Sequence, residues 1–351
     1  MKKGKIMKKV YKEYKVGDKV IDSLIAELAT KTGSLETVSL LREIITTAVK
    51  LGRESSDKGD LKLVNNALKE LRYSFKIFSP YRDVKKVVMF GSARCKKTSV
   101  EYKMAEEFAK KMSAKGYMIV TGGGSGVMEA GNKGTERGKE FALNIHLPFE
   151  QKTNPYIDEK DKIISFKYFF TRKLIFIKET DATALFPGGF GTNDEGFEML
   201  TLIQTGKSLP RPIVLMEPKG SKYWEEWKSF VNNQLVKKGF IKRDDFSLFR
   251  IVKTVDEAIK YIEDFYRVYH SIRYVSGLTV LRLNREISNK TLKLINQEFK
   301  DILTKGKIKI SPPTDKEIQE GEYLNLARLV MNFNMRDYGR LCEMIGVINR
   351  D

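Results

Sequence analysis

Pro187-Gly188-Gly189-Phe190-Gly191-Thr192-Asn193-Asp194-Glu195 follows the apolar run Ala182 to Phe186 and leads into a helix-like segment. Strand, glycine turn and helix in that order make a phosphate cradle. Glycine lets the backbone approach a ligand closely, and the first amides of a helix have no intrahelical partner. The helix macrodipole adds roughly half a positive charge at the same end, so an anion gains hydrogen bonds and field together. A second such loop, Thr121-Gly122-Gly123-Gly124-Ser125-Gly126-Val127-Met128, follows the strand-like run Tyr117 to Val120. Turns and helix caps use glycine for purely structural reasons, and either loop alone admits that explanation. Two of them at matching strand-to-helix junctions point to a nucleotide.

Outward from these loops, strand-like and helix-like runs alternate. Lys86 to Phe90, Tyr117 to Val120, Phe141 to Ile145, Ala182 to Phe186 and Pro212 to Met216 read as strands. Between and after them, Ser99 to Lys115, Val127 to Arg137, Lys167 to Lys178, Asp194 to Gln204 and Tyr223 to Lys238 read as helices. Apolar strands alternating with helices predict an α/β fold, a doubly wound, Rossmann-like parallel sheet covered on both faces. Ligands bind such sheets beyond the carboxyl ends of the strands, where both glycine loops and Gly91-Ser92-Ala93-Arg94 fall. Before this domain, apolar residues at three- and four-residue spacing from Ile21 to Phe78 predict a helical arm, including a helix from Leu61 to Phe75, and Ser79-Pro80-Tyr81 breaks it. After it, a helix from Val255 to Tyr269 leads to strand, helix, strand, strand and helix at 278–283, 289–303, 307–310, 324–333 and 337–348, a small α+β module. The expected organisation is 1–80 basic tail and helical arm, 81–253 nucleotide-binding catalytic domain, and 254–351 C-terminal module.

The 351 residues are 41% hydrophobic and 31% charged, the profile of a folded globular protein, and exceed the usual single domain. No apolar run approaches the roughly 20 residues of a membrane span, and no apolar segment follows the lysine-rich start, so a cytoplasmic protein is expected. Cys95, Cys342, His146 and His270 stand apart in sequence, which gives no metal-ligand spacing and predicts no metal. The net charge of +19 is partly local, with eight lysines against two acids in residues 1–20. The rest is dispersed without interleaved aromatic residues, so solvated faces explain it at least as well as a polynucleotide track.

Glu195 falls in the first turn of the helix after the Pro187 loop, where a carboxylate lies beside the sugar of a bound nucleotide. Thr192-x-x-Glu195 equally fits a capping box. Arg172, with Tyr168, Phe169, Ile175 and Phe176 at helical spacing, emerges from an apolar face and needs an anion there or a path to water. Thr171-Arg172-Lys173, Asp181-Ala182, the Pro187 to Thr192 turn and Glu195 23 residues after Arg172 together resemble the Lonely Guy (LOG) family, once labelled "lysine decarboxylase". Gly122 to Met128, Leu143 to Gln151 and Asn154-Pro155-Tyr156 are similar to its longer bacterial members. The similarity covers roughly residues 84 to 240. It departs at Asp194, where many relatives carry glutamate.

The resemblance implies a phosphoribohydrolase that cleaves the N-glycosidic bond of a nucleoside 5′-monophosphate to free base and ribose 5-phosphate. It implies Arg172 and Glu195 as the catalytic pair. It implies a phosphate and nucleotide site of Gly91, Ser92, Gly123, Gly124, Ser125, Gly126, Val127, Met128, Lys173, Gly188, Gly189, Gly191 and Thr192. No cofactor is expected, since nothing singles out a lysine as a pyridoxal phosphate anchor. A homo-oligomer, dimer or larger, is expected from the relatives. The alternative is a nucleotide-sensing or single-stranded DNA-binding protein on the same fold, favoured by the charge and opposed by the joint presence of Arg172 and Glu195. A nicotinamide enzyme fits less well, because the Gly122 loop lacks the dinucleotide spacing and Phe141-Ala142 stand where an acidic ribose partner belongs.

Overall fold

Local sequence sets the element boundaries. The computed structural model describes residues 14–54, 57–147, 153–157, 160–275 and 277–351. The chain divides into two units, Met1–Lys69 and Glu70–Asp351, and the lysine-rich start up to residue 13 lies outside the described residues.

The first unit carries α1 (Lys19–Thr32) and α2 (Val38–Glu54), and the division falls within α3 (Lys58–Phe78). The Asp18 carboxylate accepts from the amides of Val20 and Ile21 and so starts α1.

The second unit is built on seven parallel strands. In chain order they are β1 (Lys86–Phe90), α4 (Val100–Ala114), β2 (Met118–Thr121), α5 (Val127–Gly134), β3 (Glu140–Ile145), β4 (Ile163–Phe166), α6 (Phe169–Lys178), β5 (Ala182–Leu185), α7 (Phe190–Gln204), β6 (Ile213–Met216), α8 (Tyr223–Val231) and β7 (Arg250–Val252). The strand order β4-β3-β2-β1-β5-β6-β7 is that of a doubly wound, Rossmann-like sheet. β1 is its centre. From it the chain winds first toward β2 and later toward β5, which leaves a crevice at the carboxyl end of β1. Val87 and Met89 enter one apolar layer with α4, α5 and α9 (Val255–Phe265), and Val88 and Phe90 enter the opposite layer with α6 and α7. This alternation explains why β1 is apolar at both faces.

After α9 come β8 (Tyr269–Val275), β9 (Leu278–Leu283), α10 (Asn289–Glu298), β10 (Leu303–Ile310), α11 (Asp315–Glu320), β11 (Ala327–Phe333) and α12 (Tyr338–Ile348), with the antiparallel order β10-β11-β9-β8. Residues 254–351 belong to the same unit as the seven-stranded sheet. Tyr266 donates its hydroxyl to the Asp181 carbonyl just before β5. At the far end of α7, Gly206 has φ +70 and lies so close under Tyr338 that an added Cβ would sit 2.0 Å from its hydroxyl oxygen.

Three strands were not legible in the sequence: β4, β7 and β8. Residue 269, placed at the end of a helix, begins β8, because α9 stops at Phe265 and Tyr269, Ile272 and Val275 turn inward to the core. The module therefore begins with a β-hairpin and adds the short α11, which carries a Thr314–Glu317 capping box. α8 gives way to a π-helical turn at Asn232–Val236, so the helix expected to run from Tyr223 to Lys238 is interrupted.

Candidate active site

α7 starts four residues earlier than the sequence suggested. Its N-cap is Gly189 and its first residue Phe190, so Thr192 and Glu195 lie inside the helix and form no capping box. The reason is local. Without a Cβ, Gly188 lets Thr192 fold back so closely that a Cβ there would be 2.1 Å from Thr192 Oγ1, and the helix begins on the glycines themselves. Glu195 is thereby released from capping and points toward the crevice.

A cavity of about 780 Å³ occupies that crevice, a volume typical of small-molecule sites. Its wall includes Arg172 and Glu195 together, with Gly91, Ser92, Gly124, Met128, Gly188, Gly189, Gly191 and Thr192. The amino end of α7 opens into it, presenting first-turn amides without intrahelical acceptors. Arg172, part-buried on α6, donates from Nε to the Leu143 carbonyl at 2.8 Å and stacks over the Phe176 ring at 5.0 Å. An added Cβ on Gly122 would be 2.4 Å from Arg172 Nη2, so only glycine lets the guanidinium lie this close to the loop.

Glu195 is 8% exposed. Burial pushes its carboxyl up to about 7, against the pull of Lys173 and Arg172 and with a smaller push from Glu198 and Asp194. A carboxylate poised near neutral pH in a cavity is a common mark of an acid, a base or a charge stabiliser.

Five residues named from the sequence lie elsewhere. Gly123, Ser125, Gly126 and Val127 are not part of the wall and join loops to each other. Val127 N donates to the Ser92 carbonyl at 3.1 Å, and Ser125 Oγ donates to the Ala93 carbonyl at 2.8 Å. Gly126 has φ +66, and a Cβ there would meet Ser92 O at 2.2 Å. Lys173 turns away from the cavity and pairs with acids of α7.

Other contributors escaped sequence reasoning. Asn154 donates through Nδ2 to the carbonyls of Gly123 and Gly124 at 3.1 and 3.2 Å, and so pins the first loop. Tyr223 of α8 donates its hydroxyl to the Gly188 carbonyl at 2.6 Å and accepts from Asn193 Nδ2 at 3.0 Å. Asn144, Ile145, Leu147 and Phe169 add a side wall, for which the sequence signals were the Leu143 to Gln151 segment and the position of Asn144 near the carboxyl end of β3. Among the described residues no group of three or more His, Cys, Asp or Glu side chains is arranged to hold a metal, and no helix is long and apolar enough to cross a membrane.

The family model described as "Possible lysine decarboxylase" matches residues 110–262. A probable cytokinin riboside 5′-monophosphate phosphoribohydrolase of Oryza sativa subsp. japonica is 29% identical over 193 residues, 54% of this chain and 88% of that protein. A cytokinin riboside 5′-monophosphate phosphoribohydrolase of Arabidopsis thaliana is 26% identical over 51% of this chain and 81% of that protein. Among solved structures, the molybdenum cofactor binding protein of Rippkaea orientalis aligns with a TM-score of 0.37 at 19% identity, over 51% of this chain and 93% of that one. The matched region spans both glycine loops and the Arg172 and Glu195 positions, and this part of the chain is similar to the LOG family.

Proposed function

We propose that this protein hydrolyses the N-glycosidic bond of a nucleoside 5′-monophosphate, releasing the free base and ribose 5-phosphate. The observation that carries the proposal is the shared cavity: Arg172, Glu195 and the amino end of α7 face one space. The 5′-phosphate is assigned to the α7 amides and the Gly91-Ser92 turn, because amides at a helix start bind anions without a dedicated cation.

Cleavage of the bond places positive charge on the ribose as the base departs. A buried carboxylate beside that ribose stabilises the charge more strongly than the same group in water. Glu195 is assigned this role, and in its ionised form it also orients the attacking water. Arg172 stays charged at any working pH, so its part is to hold the substrate and polarise the departing base rather than to donate a proton. The phosphate is remote from the bond that breaks, and its binding energy is used for orientation.

Purified protein is to be incubated with AMP, GMP, a pyrimidine monophosphate, a cytokinin riboside 5′-monophosphate, adenosine and ATP, and free base followed by chromatography. Monophosphates are expected to react, and Glu195→Ala or Arg172→Ala to lower kcat/KM at least about 100-fold. Equal cleavage of adenosine and AMP, or full activity in Glu195→Ala, would refute the assignment. With Glu195 acting as a carboxylate, kcat/KM is expected to fall below about pH 7, where its carboxyl takes up a proton. A general acid would give the opposite limb.

A further inference from the structure

We propose that Lys173, resting on the hydrolase reading above, is a positioning residue that sets the place and charge of Glu195 rather than a ligand for phosphate. Its ammonium lies 2.6 Å from Glu198 Oε2, 2.8 Å from Asp194 Oδ2 and 3.7 Å from Glu195 Oε2. The Lys173 side chain is 13% exposed and that of Glu195 10% exposed, so water screens little of this contact.

An ammonium has three donors and no acceptor. Here two are drawn to Asp194 and Glu198, and the third carboxylate lies just beyond hydrogen-bond reach. Turning Lys173 toward a phosphate would leave three acids of one helix facing each other and a new dianion. The charge balance opposes that movement.

The groups facing Glu195 come from two helices and the cavity wall. Arg172 and Lys173 on α6 are cations, Asp194 and Glu198 on α7 are acids, and Arg94 lies in the wall of the same cavity. Lys173 is the group that both draws Glu195 toward its charged form and neutralises the two acids that oppose it. Burial leaves Lys173 less charged, but its bonds to Asp194 and Glu198 outweigh this and raise its pKa. Asp194, the position where this chain departs from its relatives, divides the attraction of Lys173 between itself and Glu195.

Two variants test this with opposite signs. Lys173→Met removes a cation and is expected to shift the Glu195 titration upward by about one unit. At pH 6.5 that lowers kcat/KM roughly tenfold and leaves KM for the monophosphate within about twofold at pH 9. Asp194→Asn removes an acid and is expected to shift the titration downward, and Lys173→Arg to stay near the wild type. The titration is to be read directly from the ¹³C carboxyl resonance of labelled glutamate, with Glu195 assigned by its loss in Glu195→Gln, and independently from the acid limb of kcat/KM. Thermal melts show whether each variant is folded, and the Asp194→Asn arm stands if Lys173→Met is not. An unmoved titration in folded Lys173→Met or Asp194→Asn overturns the proposal. So does a tenfold rise in KM at every pH without a shift in the limb, which is the signature of a phosphate ligand. If the wild type cleaves no nucleotide, the hydrolase reading fails while the resonance titration still decides what Lys173 does to Glu195.

Discussion

The two glycine loops that the sequence presents as equivalents are built for different tasks. In the loop between β2 and α5 the glycines are required by the protein's own atoms. Gly123 and Gly126 have positive φ, and a Cβ at Gly122, Gly123 or Gly126 would approach neighbouring atoms within 3.0 Å. Its amides and carbonyls are taken up by Ser92, Thr121 and Asn154. In the loop between β5 and α7, Gly189 and Gly191 have nothing within 4 Å of where a side chain would start, and Phe190 between them is 96% exposed. The first loop is glycine-rich because the protein packs against it. The second, beyond Gly188, which packs against Thr192, leaves space that the protein does not fill, and it leads into the helix that carries Glu195.

The sharpest way to break this comparison is Gly126→Ala. A side chain at φ +66 pressed onto the Ser92 carbonyl is expected to destabilise the fold by at least about 3 kcal/mol in denaturant titration. A neutral outcome would remove the distinction between the loops.

Next in size is Glu195→Gln. The folded-state carboxyl titrates near 7 and the unfolded one near 4.5, so the folded state binds the proton more tightly. Stability from that site is complete below pH 4.5 and is lost as pH rises through 7. At pH 8 the glutamine variant is expected to be more stable than the wild type by about 3 kcal/mol, with the gain vanishing near pH 4. A gain that is independent of pH would show that the burial of Glu195 is not its cause.

Gly189→Ala places a methyl group in open space at φ −87. The melting temperature is expected to stay nearly constant while KM for the monophosphate rises about tenfold, worth roughly 1.4 kcal/mol of binding. Loss of stability without a change in KM would place this loop in the same class as the first. The smallest effect is expected from Tyr223→Phe, which removes the hydrogen bond to the Gly188 carbonyl and the one accepted from Asn193 Nδ2 and is expected to raise KM a few-fold, about 1 kcal/mol.

Much of this architecture could be read from the chain because β1, β2, β5 and β6 are mostly apolar, buried at every position, and each followed by a helix or a glycine turn. Arg172 and Glu195 were legible by their company in sequence, and their sharing of one cavity is geometry. What escaped has physical reasons. β4 and β7 are only partly buried and carry Ser165 and Arg250, so neither shows as an apolar run. β8 alternates imperfectly because the pairing shifts between Tyr269 and Ser271. The start of α7 was hidden because Thr192-x-x-Glu195 satisfies the rule for a capping box while the glycines before it begin the helix without one. The direction of Lys173 depends on acids 21 to 25 residues away, which no local pattern reveals.

α7 has Glu195 near one end and, just past the other, Gly206 fitted under Tyr338 of the C-terminal module. A helix of 15 residues is about 22 Å long and stiff along its axis. The module holds the tail of the rod whose tip borders the cavity. A displacement of α12 would therefore reach the turn that ends α7 and, along the axis of that helix, Glu195.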